Sequence, residues 1–303
     1  MKALVTGANG FIGSHVCREL LARGCDVYAV LRPGSGSQRL PEQTHRLHRV
    51  ECDVFRAPDT ELLRHCEGIE ACIHCAWHVV PGEYLASPLN DDCRQGSLRL
   101  ISALLAQGCG QITGVGTCFE YSLTATPLDE SAPTLPLTPY ASAKLSTGRE
   151  GEALAQASGA AFAWARLFYL YGPWEDSRRL VPDVALRLLG GEHAAVTSGF
   201  QVRDYLHVED VAAALVDVTL AGMRGPVNIG SGRPTRVHEI VRLLGEITGG
   251  TDLLDFGARQ ENAMDPPYVC ADNKRLRDEA DWRPRYDLRA GLEQTVSWWK
   301  GHS

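Results

Sequence analysis

The chain has 303 residues and a formal net charge of −7, with 44% of its residues hydrophobic and 22% charged. That length supports one large or two intimate domains with a self-sufficient core, and the acidic balance argues against nucleic acid or an anionic membrane as partner, since both select a basic face. No uncharged stretch reaches the roughly 18 apolar residues of a membrane span, and residues 1–7 read as a short strand rather than a signal peptide, so the expected compartment is the cytoplasm.

In chain order, residues 1–6 read as a strand that runs into a glycine turn. Residues 11–23 read as a helix, with Ile12, Val16, Leu20 and Leu21 on one stripe. Residues 27–31 form the next strand, and 71–75 and 111–115 two more. Leu98, Ile101, Leu104 and Leu105 give 96–107 a helical spacing. Residues 141–158 read as a further helix and 161–166 as a buried strand. This alternation predicts parallel strands joined by right-handed crossovers, hence an α/β, doubly wound sheet. Beyond Pro173 glycines and prolines cluster, as at Gly190-Gly191, Gly225-Pro226, Gly249-Gly250 and Pro266-Pro267, with short helices at 208–220 and 237–248 between them. The expected organisation is a doubly wound parallel-sheet domain over 1–170, to which 204–232 return. A smaller α/β lobe is expected from 171–203 and 233–303.

The turn after the first strand reads Thr6-Gly7-Ala8-Asn9-Gly10-Phe11-Ile12-Gly13, with the spacing G-x-x-G-x-x-G. Glycines there permit a tight turn, let the backbone approach a pyrophosphate and allow close helix–strand packing, while the helix N-terminus faces the phosphates. Gly7, Asn9, Gly10, Phe11, Ile12 and Gly13 are therefore expected to hold a dinucleotide. NAD binders usually place an acid at the end of the second strand for the ribose 2′-OH. Here Leu31 is followed by Arg32, with Ser35, Ser37 and Arg39 nearby and no acid. Arg32 suits a 2′-phosphate, which favours NADP(H); NAD(H) stays open if Arg32 is a solvated loop residue. Asp53, which follows Cys52 at another strand end, is a candidate for the adenine ring.

Tyr140-Ala141-Ser142-Ala143-Lys144 is Y-x-x-x-K at a helix start. The i, i+4 spacing puts both side chains on one face. A free Tyr titrates near ~10, and a nearby ammonium favours the phenolate, bringing the Tyr closer to working pH as an acid or base.

With these motifs in place the chain resembles the extended short-chain dehydrogenase/reductase superfamily, in its nucleotide-sugar epimerase, dehydratase and reductase branch. The resemblance spans essentially the whole chain. It rests on the glycine turn at 6–13, Asp53-Val54, Ile73-His74-Cys75-Ala76 and the Y-x-x-x-K at 140–144. It continues through Arg166-Leu167-Phe168-Tyr169-Leu170-Tyr171-Gly172-Pro173, Arg203-Asp204-Tyr205-Leu206-His207-Val208-Glu209-Asp210, Ala271-Asp272 and Asp281-Trp282-Arg283-Pro284. It implies a Rossmann NAD(P)-binding domain with a substrate lobe, and adds Val54, Ala76 and Phe168 to the cofactor residues. It also implies a third catalytic residue, Thr117, four residues ahead of Tyr121. In that scheme the Thr117 hydroxyl bonds the sugar oxygen that gains or loses a proton, Tyr140 is the proton donor or acceptor, and Lys144 binds the nicotinamide ribose and tunes Tyr140.

Within such a family the residues after the Thr separate the reactions. Elimination of water needs two groups, one taking a proton and one giving it, and the 4,6-dehydratases place an acidic pair after the Thr. Here Cys118 and Phe119 stand there, so a dehydratase is not expected. Reductases that also epimerise use a Cys two residues after the Ser/Thr and a His after Gly-Pro; Phe119 and Trp174 hold those places. Cys118, on the strand, would point to the opposite face and is read as packing. Two readings remain. One is an NADPH-dependent 4-ketoreductase of a nucleotide-linked 4-keto-6-deoxysugar. The other is an NAD-dependent nucleotide-sugar 4-epimerase. A third, a catalytically inactive sensor of cofactor ratio, conflicts with the retention of Thr117, Tyr140 and Lys144.

On the substrate side the resemblance makes Arg203 a clamp for the nucleotide diphosphate, since an Arg fork matches phosphate oxygens, with Arg259 a second candidate. Val181 and Gln201 are expected to wall the base and ribose. Trp77, His78 and Tyr84 should approach the sugar. Tyr169 stands where the family often has an Asn against the sugar phosphate. A homodimer through helices 96–107 and 141–158 is the family habit. The ten cysteines, nine of them within the first 118 residues, read as free thiols in apolar runs. Cys72-Ile73-His74-Cys75 lacks the second pair that a zinc site needs, so no metal is expected.

Overall fold

The computed structural model describes residues 1–302 apart from 43, 124, 125, 263 and 264. Its first part alternates strands and helices: β1 (Lys2–Thr6), α1 (Phe11–Ala22), β2 (Asp26–Leu31), β3 (Leu47–Glu51), α2 (Asp59–Cys66), β4 (Ala71–His74), α3 (Leu89–Ala106), β5 (Gln111–Thr117), α4 (Pro139–Ser158) and β6 (Ala161–Leu167). There follow β7 (Tyr169–Tyr171), α5 (Leu180–Leu189), β8 (Ala194–Val196), β9 (Val202–Arg203), β10 (Tyr205–His207), α6 (Val208–Leu220) and β11 (Gly225–Ile229). The chain ends with β12 (Thr235–Arg236), α7 (Val237–Thr248), β13 (Leu254–Phe256), β14 (Tyr268–Val269), α8 (Lys274–Glu279) and α9 (Leu288–Lys300).

Seven strands form one parallel sheet in the order β11-β6-β5-β4-β1-β2-β3. The order reverses between β1 and β4, so their carboxyl ends frame the crevice where a doubly wound Rossmann sheet binds ligands. Both faces are covered, as the near-continuous apolar strands require. Successive residues of β1 serve opposite cores: Ala3 and Val5 pack with α1 and α6, and Leu4 packs with α2, α3 and Phe162. A separate core of Val181, Val184, Ala185, Ile240, Leu244, Leu292 and Val296 joins α5, α7 and α9.

Two pairings tie this lobe to the sheet. β7 continues from β6 and pairs with β10. Asp204, between β9 and β10, accepts hydrogen bonds from Ser231 N (2.7 Å), Ser231 Oγ (2.6 Å), Gly232 N (3.0 Å) and Ala271 N (3.1 Å). His207 caps α6, accepting from Glu209 N.

Four elements depart from the sequence expectation. α3 begins at Leu89, seven residues before the apolar stripe, because its first turns bury Asn90, Cys93 and Gly96 instead of large apolar side chains. β3, an edge strand, and α2 carry mostly polar residues and bury few side chains, Leu47 in β3 and Leu62 and Cys66 in α2. Cys118 is not on a strand, for the chain turns into a 3-10 helix at Cys118–Glu120. Its thiol is nonetheless buried with Tyr121 and Phe168, and burial pushes it up to about 12.

Candidate active site

The glycine turn is built by close approach. Gly7 has φ +64°, and a Cβ on it would lie 2.9 Å from the Ala76 backbone; one on Gly13 would collide with the Gly7 carbonyl oxygen. Only glycine satisfies both constraints at Gly7. Asn9 straps the turn to the loop after β2, donating to Gly36 O (2.6 Å) and accepting from Arg39 N (3.0 Å). Phe11 and Ile12 open α1, whose first turn carries no acid, so its N-terminal amides are free of a competing carboxylate for an anion. Beside the turn lies a cavity of about 380 Å³ lined by Arg32, Pro33, Gly34, Ser35 and Asp53. Arg32 is exposed and makes no ion pair among the described residues. Val54 is buried in the core behind this cavity. These features suit a dinucleotide: a cradle that a Cβ would fill, an uncontested helix end and a cation at the far pocket.

His74, on β4, is braced rather than ligating. Ser97 Oγ already donates to Cys93 O (2.6 Å), so His74 Nε2 donates to Ser97 Oγ (2.7 Å) and its Nδ1 accepts from Thr6 Oγ1 (2.6 Å). Thr6 Oγ1 in turn accepts from Ala76 N (3.2 Å). Burial lowers the imidazole to about 3, so the ring is neutral. This relay fixes the backbone that faces Gly7.

The three catalytic candidates meet at the end of β5. Thr117 caps the 3-10 turn, accepting from Phe119 N (3.3 Å), and its hydroxyl is near enough to the Tyr140 phenol to act on its acidity. Tyr140 is in the first turn of α4, capped by Thr138 and started by Pro139. Its ring meets Tyr84 edge-on at 4.8 Å and Trp77 at 6.4 Å. Burial and the neighbouring Tyr84 drive the phenol well above its ordinary value, and the Thr117 hydroxyl pulls the other way. One helical turn on, Lys144 is 3% exposed and donates to Val115 O (2.6 Å). Burial lowers it to about 7, with Glu120 opposing.

Glu120, the nearest acid in sequence to Thr117, is fully spent. Its Oε1 accepts from Thr117 N (2.9 Å) and Trp164 Nε1 (2.9 Å), and its Oε2 from Arg166 Nε (2.8 Å), at 0% exposure. It shapes the strand end: three of its lone-pair positions are taken inside the fold and none of it is exposed.

The substrate candidates divide. Tyr169 packs near Phe119 (6.4 Å) and Tyr205 (5.5 Å), with the Arg203 guanidinium 5.2 Å over its ring. Arg203 is 3% exposed at its side chain and pairs with Asp265 at 2.6 Å, yet the angle leaves Nη2 without a hydrogen bond among the described residues. Arg259 instead pairs with Asp183 on α5 (2.9 Å). Val181 faces the lobe core. Gln201 is half-buried, its carbonyl taken by Val237 N (3.0 Å). His78 is half-buried beside Cys93, and Phe168 lies in the core behind Thr117.

Three site residues escaped the sequence reading. Arg179 lies 5.5 Å over the Tyr84 ring. Asn90, 2% exposed, holds Trp77 Nε1 (2.9 Å) and the carbonyls of Tyr84 and Ser87. Glu175 is buried next to Tyr205 with Oε2 unpartnered among the described residues, and burial raises its carboxyl far above the usual range. None belongs to a spaced motif, so only the tertiary fold reveals them.

Sheet topology, glycine cradle and Thr–Tyr–Lys cluster together mark a dinucleotide-binding enzyme of the Rossmann type. Residues 3–230 match the NAD dependent epimerase/dehydratase family, and the chain belongs to that family. It is 28% identical to a UDP-glucose 4-epimerase of Azospirillum brasilense, over 99% of this chain and 92% of that one. It is 30% identical to a dTDP-glucose 4,6-dehydratase of Streptomyces griseus, over 99% and 94%. Among solved structures, the UDP-glucose 4-epimerase of Thermotoga maritima with UDP-glucose is similar at TM-score 0.86 and 27% identity, covering 100% and 99% of the two chains. The dTDP-glucose 4,6-dehydratase of Streptomyces venezuelae with NAD reaches 0.87 at 26% identity, covering 99% and 97%. The protein is thus an enzyme of nucleotide-sugar chemistry.

Proposed function

We propose that the protein is an NADPH-dependent 4-ketoreductase of a nucleotide-linked 4-keto-6-deoxysugar. The observation that carries the net reduction is the cavity beside the glycine turn, where the exposed Arg32 guanidinium, without an ion pair among the described residues, suits a 2′-phosphate. The spent state of Glu120, with Cys118 and Phe119 beside it, weighs against dehydration, since no carboxylate near Thr117 is free to take a second proton.

Gly7, Gly10, Gly13 and the α1 N-terminus would hold the pyrophosphate, Asp53 the adenine side and Lys144 the nicotinamide ribose. When bound, the nicotinamide supplies a hydride to the sugar carbonyl carbon. Thr117 holds the oxygen on which negative charge develops. Tyr140, protonated at working pH because it is buried, donates its proton to that oxygen. The Lys144 ammonium then faces the phenolate left behind and favours it. Tyr84 and Trp77 pack edge-on against Tyr140. Arg203 would trade Asp265 for the substrate diphosphate.

A second reading is specifically favoured by the relatives: an NAD-dependent 4-epimerase, the activity for which the Azospirillum and Thermotoga proteins are named. The same Tyr140 serves it, acting first as base and then as acid. In either case the α3 and α4 helices are the proposed dimer faces.

A panel of nucleotide-linked 4-keto-6-deoxysugars with NADPH or NADH, followed by loss of reduced-cofactor absorbance, tests the choice. The reductase oxidises NADPH in preference to NADH, an Arg32→Asn change narrows that preference, and Tyr140→Phe costs about 10²–10⁴ in kcat. No oxidation of either cofactor, with interconversion of UDP-hexoses in the absence of added cofactor, overturns it for the epimerase.

A further inference from the structure

Lys144 occupies an unusual position for an ammonium. It has three N–H donors, yet the only acceptor recorded among the described residues is Val115 O, at 2.6 Å. Among the described residues it makes no ion pair with a carboxylate, and Glu120 is bound to Arg166 at 2.8 Å. The remaining contact is an aromatic face: the Trp77 ring centroid lies 3.8 Å from Nζ, against 5.9 Å for Trp164 and 6.0 Å for Tyr140. An indole face is the strongest aromatic partner for a cation, and more so when both are shielded from water.

The indole itself is locked. Its Nε1–H donates to Asn90 Oδ1 (2.9 Å), and the Asn90 amide clamps the Tyr84 and Ser87 carbonyls (2.7 and 2.9 Å). Tyr84 closes the circuit by packing on Tyr140. Trp77 therefore turns its ring towards Lys144 and Tyr140.

We propose that Trp77 is a positioning residue of this enzyme: its indole face fixes the Lys144 ammonium in the place from which it serves the cofactor ribose and Tyr140, and Asn90 holds that indole to α3. The proposal rests on the dehydrogenase-type reading of the Thr117–Tyr140–Lys144 cluster. An aliphatic residue at 77 would leave the ammonium one carbonyl and no counter-charge.

The titratable groups around Lys144 make the contact readable. His74 and Cys75 at the end of β4, Cys93 on α3, Glu120 in the 3-10 turn and Tyr140 on α4 itself face it or act on it. Burial holds His74 near 3 and pushes Cys75 to about 12, and it raises Cys93 and Tyr140 as well. Glu120 stays tied to Arg166. Of these groups, Lys144 is the one that burial brings to about 7.

The test uses the protein without added ligand. The Trp77 emission, taken as the difference between wild type and Trp77→Phe, is expected to titrate with a midpoint near pH 7 and to lose that titration in Lys144→Met. A Trp77 emission that is flat from pH 6 to 8, or that titrates equally in Lys144→Met, overturns the proposal. With turnover as a second readout, loss of the Lys144 charge lowers kcat as pH rises. Trp77→Met should move that alkaline limb down by about one pH unit, with Trp77→Phe shifting it less and KM for the nucleotide sugar unchanged. An alkaline limb unmoved in Trp77→Met also overturns it. A titrating emission without turnover of any nucleotide sugar overturns the proposed reaction and leaves the Trp77–Lys144 contact standing.

Discussion

At the residue scale, the cost of the site is concentrated in Lys144. Its amine is lowered from the ordinary lysine value to about 7, chiefly by burial. A base whose folded value lies below its unfolded value binds fewer protons in the fold, so stability rises with pH between the two values and is lowest below pH 7. Lys144→Met removes this burden. The variant should therefore be inactive yet melt higher than wild type at pH 6, by about 2–6 °C, with the gap closing towards pH 10. Thermal melts at both pH values check this; a gap that widens with pH contradicts the assignment. Function is retained here against stability, as is common at active sites.

At the element scale, α4 delivers Tyr140 and Lys144 to the end of β5 because it sits unusually close to the sheet. A Cβ on Gly148 would come within 2.8 Å of the Trp164 ring, and one on Gly151 within 2.7 Å of Phe162. Gly148→Ala gains intrinsic helix propensity yet must push α4 outward or displace Trp164. It is expected to lower kcat at least tenfold and to lower the melting temperature, as assay and melt will show; unchanged kcat with raised stability would separate α4 spacing from catalysis. Such spacing explains what was legible in advance. The glycine turn, the Tyr140–Lys144 pair and the alternating strands are local periodic signals, and they were readable. α2, β3 and the first turns of α3 were not: β3 buries only Leu47 and α2 only Leu62 and Cys66 among polar neighbours, and the first turns of α3 pack through Asn90, Cys93 and Gly96. Arg179, Asn90 and Glu175 were beyond reach because what matters about them is a neighbour distant in sequence. The strand-based reason for dismissing Cys118 failed because Thr117 caps a 3-10 turn there, a local choice that the sequence Thr-Cys-Phe-Glu carries in its capping box.

At the scale of the whole molecule, two cores meet across a seam held by buried polar residues. Asp204 is the knot: one carboxylate receives hydrogen bonds from the end of β11 and from the segment after β14. Asp204→Ala leaves buried amides without an acceptor, at about 1–3 kcal/mol each where they stay dry. Its expected signature is a lower urea midpoint together with a KM that rises more for the nucleotide sugar than for the dinucleotide, because the lobe shifts and the sheet does not. Equal rises in both would mean that the seam positions the two ligands alike.

The Arg203–Asp265 pair gives the guanidinium an occupant of its own. If Arg203 holds the substrate diphosphate as proposed, an arriving diphosphate would evict an internal anion, and its binding free energy would be the difference between two salt links made by the same guanidinium. The return of Asp265 would then compete with product for that guanidinium at every turnover. On that proposal the arrangement gives up ground-state grip and gains a built-in route to product release.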